Sequence, residues 1–234
     1  MNDVAREVRL DFGRGLRIGL DEAILCEHKS LEQIVHIMEQ ARVRARSLLL
    51  TRLGADLAAA LPEQLAAALD YCATSRTAFF GPVAAPSAPA RVAVVAGGSS
   101  DAPVAREAAR TLAFAGEASE LAFDVGVAGL WRLLDEIGRL ERMAVVIVAA
   151  GMDAALVSVV AGLVPGAVVA LPTSTGYGMA DRGETALRAA LASCSPGVVA
   201  VNIDNGYGAA CAALRILNAT GARVAAERPG RDAG

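Results

Sequence analysis

Arg91-Val92-Ala93-Val94-Val95-Ala96-Gly97-Gly98-Ser99-Ser100-Asp101 is the stretch whose reading decides the fold. Its first half is a short β-branched run without polar alternation, the pattern of a strand covered on both faces. Its second half is a turn that can aim backbone N–H groups and two hydroxyls at an anion beside a helix N-terminus. The helical stretch APVAREAARTLAFAG follows, and the alternation then repeats through SELAFDV, GVAGLWRLLDEIGRLER, MAVVIVAAG, MDAALVSVVAGL, GAVVALP, ETALRAALASC, VVAVNI and YGAACAALRILNAT. Five apolar strands, each followed by a helix, predict an α/β domain of flavodoxin-like type. Its parallel sheet is expected in the middle of three layers, with right-handed crossovers.

Upstream of that stretch, GPVAAPSAPA (81–90) combines prolines with small residues and no periodicity, the composition of a stiff connector. The expected organisation is a smaller, mainly helical N-terminal region (1–85), the α/β domain (90–222) and a flexible tail (223–234). In the first region Ser30-Leu31-Glu32-Gln33 has capping-box form. Leu31, Ile34, Val35, Met38 and Ala41 then recur at helical spacing, which predicts a helix to about Ser47. GADLAAALPEQLAAALDYC reads as helix, turn and helix around Pro62.

Composition narrows the function. The 234 residues are 54% hydrophobic and 20% charged with a formal charge of -3, at a pI near 5.5 and a mean hydropathy of +0.43. That supports a sizeable core and gives no cationic surplus for phosphate backbones or anionic lipid, so neither nucleic acid nor membrane is an expected partner. No apolar run approaches the ~20 residues of a membrane span. MNDVAREVRLDFGRG has no apolar signal-peptide core, and a cytoplasmic location is expected. The four cysteines at 26, 72, 194 and 211 lack zinc or disulfide spacing and are expected as free thiols, Cys72 and Cys211 in the core. The two histidines, His28 and His36, both precede the α/β part, which leaves no material there for Ser-His-Asp chemistry or a histidine metal site.

In open parallel sheets ligands bind beyond the carboxyl ends of the strands. After the first strand, Gly97, Ser99, Ser100 and Asp101 read as a phosphate turn, or as a tight turn with a capping Asp. After the third, Asp153 is a helix cap or a catalytic carboxylate. After the fourth, Thr173, Ser174, Thr175 and Tyr177 form a polar turn longer than a connection needs. After the fifth, Asn202, Asp204 and Asn205 stand before a helix, where Asp204 could hold Mg²⁺ or cap. Cys194 ends a helix, a position that disfavours a thiolate unless a cation lies near.

GGSSDAPVAREA, FDVGVAGLWRLL, AAGMDAALVSVVAGL, LPTSTGYG and LASCSPGVVAVNIDNGYGAA, with RIGLDEAILCEHKS upstream, resemble the LarB family of nickel pincer nucleotide biosynthesis from about Arg14 to Leu217. The α/β half is also similar to PurE, the phosphoribosylaminoimidazole carboxylase. The resemblance implies a synthase that carboxylates nicotinic acid adenine dinucleotide at pyridinium C5 with CO2 or bicarbonate and hydrolyses its phosphoanhydride. The products would be pyridinium-3,5-biscarboxylic acid mononucleotide and AMP, and later sulfur-transfer and nickel-insertion proteins would lead to lactate racemase. Cys194 matches the family's nucleophile, and a thiolate adduct at C4 makes C5 an enamine carbon reactive toward CO2. The cationic ring would also supply the charge that favours the thiolate.

By the same resemblance Asp153 stands where the family usually has Glu, as the base for the C5 proton. Ser99, Ser100 and Asp101 would hold phosphate or ribose, with Gly97, Thr173, Ser174, Tyr177, Asn202 and Asn205 around the same crevice and Asp204 and Thr175 as Mg²⁺ ligands. Arg17, Glu22 and Lys29 match family positions and read equally well as surface ion pairing. Two further departures are Gly98 for the usual Thr and Trp131 for the usual His. A homo-oligomer, an octamer by analogy with PurE, is implied. The competing readings are a PurE-type carboxylase or mutase, a thiol-dependent dinucleotide hydrolase, and a catalytically inactive nucleotide-binding protein.

Overall fold

The computed structural model describes residues 4–219 and 221; the expected tail, 223–234, lies outside the described residues. The chain divides into two compact units, Met1–Val83 and Ala84–Gly234. The first contains, in order, α1 (Val4–Glu7), α2 (Arg14–Ile18), β1 (Ala23–Leu25), α3 (Leu31–Val43), β2 (Leu48–Thr51), α4 (Ala55–Ala59), α5 (Glu63–Ala66), β3 (Leu69–Cys72) and β4 (Thr77–Phe80).

The helices expected here are present, but they pack on a four-stranded sheet of order β1-β2-β4-β3 that the sequence reading lacked. β1 runs parallel to β2, and the other two pairings are antiparallel. The capping box at α3 is formed: Ser30 Oγ accepts the Gln33 N–H at 3.2 Å, and the Ser30 N–H donates to Gln33 Oε1 at 3.1 Å. The helix buries Ile34, Ile37, Met38 and Ala41. It stops at Val43 rather than Ser47 because Ala45 turns left-handed (φ 50) and feeds β2, all four of whose residues are buried. LDYC, read as the end of a helix, is β3. Its pairing with β4 and the hydrogen bond from Tyr71 Oη to the Leu53 carbonyl outweigh the local helix preference of the Ala/Leu run.

The second unit holds β5 (Ser87–Ala96), α6 (Ala102–Phe114), β6 (Glu117–Ala122), α7 (Leu130–Leu140), β7 (Val145–Ala150), α8 (Ala155–Ala161), β8 (Ala167–Pro172), α9 (Glu184–Leu191), β9 (Val199–Ala200) and α10 (Gly206–Ala219). The sheet order is β6-β5-β7-β8-β9 and every pairing is parallel. This is the flavodoxin-like order expected from the sequence. β5 begins inside the stretch read as a connector, and β9 is shorter than VVAVNI suggested. All six residues of β7 are buried, as a central strand covered on both faces requires. Val95, Val146 and Val148 pack with Leu133, Leu156 and Val160 in one core. From β5 the next strand, β6, is added on one side and the following one, β7, on the other, so the switch point of the sheet lies between the loops that follow β5 and β7. Among the described residues no helix is long and apolar enough to cross a membrane.

Candidate functional site

The loops after β5, β7, β8 and β9 converge through their own hydrogen bonds. Asp101, 3% exposed, lies beneath the Gly98–Ser100 turn; its Oδ2 accepts the Gly98 N–H at 2.8 Å and its Oδ1 accepts Thr173 Oγ1–H at 2.5 Å. A buried carboxylate thus ties the loop after β5 to the loop after β8, while Ser99 and Ser100 stay exposed above it. Thr175 donates to the Ser100 carbonyl at 3.4 Å and accepts the Met152 N–H on its own carbonyl at 2.9 Å, which joins the loop after β7. Asp204 Oδ1 accepts the Ser174 N–H at 2.8 Å, and the Asp204 N–H donates to the Pro172 carbonyl at 2.9 Å, which joins the loop after β9.

The close fit of these loops explains one glycine that the sequence left unremarkable. A Cβ on Gly151 would come within 2.2 Å of the Thr175 carbonyl oxygen and 2.8 Å of Thr173 Oγ1. Three non-glycine residues here are left-handed: Met152 (φ 53), Ala154 (φ 48) and Asp204 (φ 54). Such backbone is held only where the surroundings over-determine it, and it clusters at functional sites. The Ala154 N–H on the Gly151 carbonyl at 2.8 Å is part of that support.

Asp153 is exposed, and its Oδ1 accepts the Ala155 N–H at 3.2 Å, so it caps α8. Asn205 caps α10 through the Gly208 N–H at 2.8 Å, and Asn202 Oδ1 accepts the Ile203 N–H at 2.9 Å. Tyr177 is 81% exposed at the rim. The structure therefore brings together Gly97, Ser99, Ser100, Asp101, Thr173, Ser174, Thr175 and Asp204, with Asn202, Asn205 and Asp153 on the flanking loops.

Cys194 is not on a strand-end loop. It lies between α9 and β9, exposed, in a segment fixed to the middle of α8: Ser193 Oγ and Ser158 Oγ are 2.8 Å apart, and Ser195 Oγ donates to the Ser158 carbonyl at 2.8 Å. Ser158 is three residues into a helix whose first turn Asp153 caps, about 4.5 Å along the axis from Ala155. Sequence reading missed this serine set because Ser158 is far from Cys194 in the chain. It also missed Glu107, a buried carboxylate on α6 whose Oε2 accepts the Gly206 N–H at 3.0 Å where α10 begins. Cys72 and Cys211, expected in the core, are half-buried; the fully buried thiol is Cys26. Both expected core cysteines are on amphipathic elements, which leave one side partly open.

Trp131, in the first turn of α7, is 67% exposed. In the first unit Arg17 pairs with Asp11, both at the surface, and Glu22 Oε2 accepts the Asp11 N–H at 2.8 Å. Lys29 donates its backbone N–H to the Cys26 carbonyl.

Among the described residues no three His, Cys, Asp or Glu side chains are grouped to hold a metal. Beside the hydroxyl-bearing Thr173–Thr175 loop stands the Asp204 carboxylate, while Asp101 is buried with both oxygens engaged by Gly98 and Thr173. That sparse set fits Mg²⁺ only where phosphate oxygens complete the coordination shell.

Two family models match the chain. Residues 2–81 match the LarB/PurE-like N-terminal domain, and residues 91–228, more than half of the chain, match AIR carboxylase. An uncharacterised protein of Methanocaldococcus jannaschii is 46% identical over 121 residues, 51% of this chain and 46% of that protein, so the match spans about half the relative's length. The crystal structure of a Treponema denticola PurE2 variant is 26% identical, covers 55% of this chain and 79% of its own, and superposes with a TM-score of 0.44. With an N-terminal LarB-type domain followed by an AIR carboxylase domain of all-parallel, flavodoxin-like sheet order, the chain belongs to the LarB family.

Proposed function

We propose that this protein carboxylates the pyridinium ring of nicotinic acid adenine dinucleotide at C5 and hydrolyses the phosphoanhydride, releasing AMP and pyridinium-3,5-biscarboxylic acid mononucleotide. The observation that carries the reading is one scaffold with two parts. A strand-end crevice of hydroxyls and N–H groups is braced by buried Asp101, and an exposed thiol, Cys194, is fixed to α8, the helix that Asp153 caps. Membership of a family built on an AIR carboxylase domain supports carboxylase-type chemistry.

In this reading the Cys194 thiolate adds at C4 of the electron-poor ring, and the electron pair gained by the ring makes C5 nucleophilic toward CO2. The C5 proton then passes to a base, for which Asp153 is the candidate, directly or through one water. Loss of that proton lets the C4–S bond break and the aromatic cation re-form. Water cleaves the phosphoanhydride, each product keeping one phosphate. Ser99 and Ser100 would bind phosphate, and Asp204 and Thr175 would hold Mg²⁺ with it; the ion supplies charge neutralisation. Trp131 and Tyr177 are candidate walls for the bases. The working form is proposed to be a homo-oligomer, because α7 exposes Leu130, Trp131 and Leu134 side by side.

A second reading, carboxylation of an aminoimidazole ribonucleotide, is favoured by the AIR carboxylase match itself. The absence of histidine from residues 91–234 counts against it, because the PurE enzymes that the α/β half resembles use an active-site histidine for proton transfer. The deciding experiment incubates wild type and Cys194→Ala with nicotinic acid adenine dinucleotide, Mg²⁺ and isotopically labelled bicarbonate, with products read by mass spectrometry. Labelled biscarboxylated mononucleotide and AMP from wild type alone are expected. AMP without label would point to a hydrolase, and ligand binding without turnover to an inactive nucleotide-binding protein.

A further inference from the structure

The two serines that flank Cys194 are both tied to one residue of α8. Ser193 and Ser158 share a hydroxyl–hydroxyl contact of 2.8 Å, Ser195 Oγ donates to the Ser158 carbonyl at 2.8 Å, and the Ser195 N–H donates to Ser193 Oγ at 3.2 Å. These contacts close a small ring around the thiol's backbone while leaving Cys194 itself exposed. All three serines are partly buried, so their hydroxyls are oriented by one another rather than dissolved in bulk water. The segment runs from the end of α9 at Leu191 to the two-residue edge strand β9, Val199–Ala200.

We infer that Ser158 is a positioning residue for the Cys194 thiol. Its hydroxyl and its carbonyl clamp Ser193 and Ser195 to α8, so that the segment bearing the nucleophile is tied to the helix whose first N–H, that of Ala155, Asp153 accepts. The inference rests on the synthase reading for its catalytic consequence and on the hydrogen bonds alone for the clamp. Ser158 makes no bond to substrate and moves no proton; it acts by fixing where the thiol emerges, and a small misplacement of a nucleophile costs rate rather than binding.

The test compares Ser158→Ala, Ser158→Thr and Ser193→Ala with wild type, measuring steady-state turnover of the dinucleotide and amide hydrogen exchange over residues 193–197. In both alanine variants kcat is expected to fall about 10- to 100-fold with KM within about twofold, while Ser158→Thr, which keeps the hydroxyl, recovers most of the loss. Exchange in that segment should quicken about tenfold in Ser158→Ala as the ring opens. Unchanged kcat in both alanine variants, or a loss carried by KM alone, would overturn the inference. If Ser158→Ala fails to fold, Ser193→Ala on the outer side of the ring decides. A wild type that incorporates no label removes the synthase reading; the exchange rates then decide the clamp by themselves, and unchanged exchange overturns it.

Discussion

Asp101 shows how much a single side chain carries at this site. Its carboxylate receives two donors, the Gly98 N–H and Thr173 Oγ1–H, and both would be left unsatisfied in Asp101→Ala. At about 1–3 kcal/mol for each donor that loses its partner, the variant should be destabilised by about 2–6 kcal/mol, and Asp101→Asn, which keeps one acceptor oxygen, by less. Denaturant unfolding measures both, and equal stability of all three proteins would contradict the bracing role. The cysteines separate by environment in the same way. Burial pushes the Cys26 thiol up to about 12 from a usual value of 9.0, with nearby Lys29 opposing only in part. A thiol whose proton is held more tightly in the folded chain contributes stability that is complete below about pH 9 and is lost as pH rises toward 12. Alkylation near pH 8 should therefore label exposed Cys194 in the native protein and reach Cys26 only after unfolding, and native labelling of Cys26 would refute that assignment.

At the scale of elements, what matters is how closely one loop approaches the next. Gly151 follows β7 directly and faces backbone and Thr173 Oγ1, groups that have no flexible end to move aside. Gly151→Ala should cost about 1–3 kcal/mol through overpacking and loosen the crevice. Gly138, exposed in the interior of α7 with nothing within 4 Å of the point where a methyl group would stand, is the opposite case. Gly138→Ala should stabilise by about 0.5–1 kcal/mol, because it lowers the entropy of the unfolded chain and suits a helix. Thermal unfolding of the two variants beside wild type checks the contrast, and shifts of the same sign would refute it. The paired elements β5 and β6 carry a further device, Arg91 on Glu117: Nε and Nη2 lie 3.2 Å and 2.5 Å from the two carboxylate oxygens, with Glu117 buried. A two-pronged ion pair of this kind suits adjacent parallel strands because its planar geometry permits few other registers.

At the scale of the whole molecule, the second unit leaves large apolar side chains uncovered. Leu130, Trp131 and Leu134 occupy one side of α7, and Tyr177, Met179 and Leu191 are exposed elsewhere on the same unit. Sedimentation equilibrium should find the wild type larger than one chain, and Leu134→Glu should shift it toward smaller species, because a charge is costly to bury in a packed apolar contact. A wild type that stays monomeric at micromolar concentration would remove the proposed assembly.

The parallel α/β order was legible in the sequence because each strand is a short apolar run and each helix an amphipathic one, a difference of periodicity that needs no knowledge of contacts. The strand-end residues Ser99, Asp101, Thr173 and Asp204 were legible for the same reason, since the carboxyl ends of the strands follow from the strands themselves. Tertiary structure alone decided that LDYC is a strand, because its partner, Thr77–Phe80, wins over local helix preference only when the hairpin closes. It alone decided that Asp101 is a buried brace, since Thr173 lies 72 residues further along the chain. It alone placed Ser158 beneath Cys194, a pairing set by the packing of α8 beside the α9–β9 segment and by hydrogen bonds that span 35 and 37 residues. Local pattern follows from each side chain's own size and polarity, whereas these pairings exist only after distant segments have given up their freedom to meet.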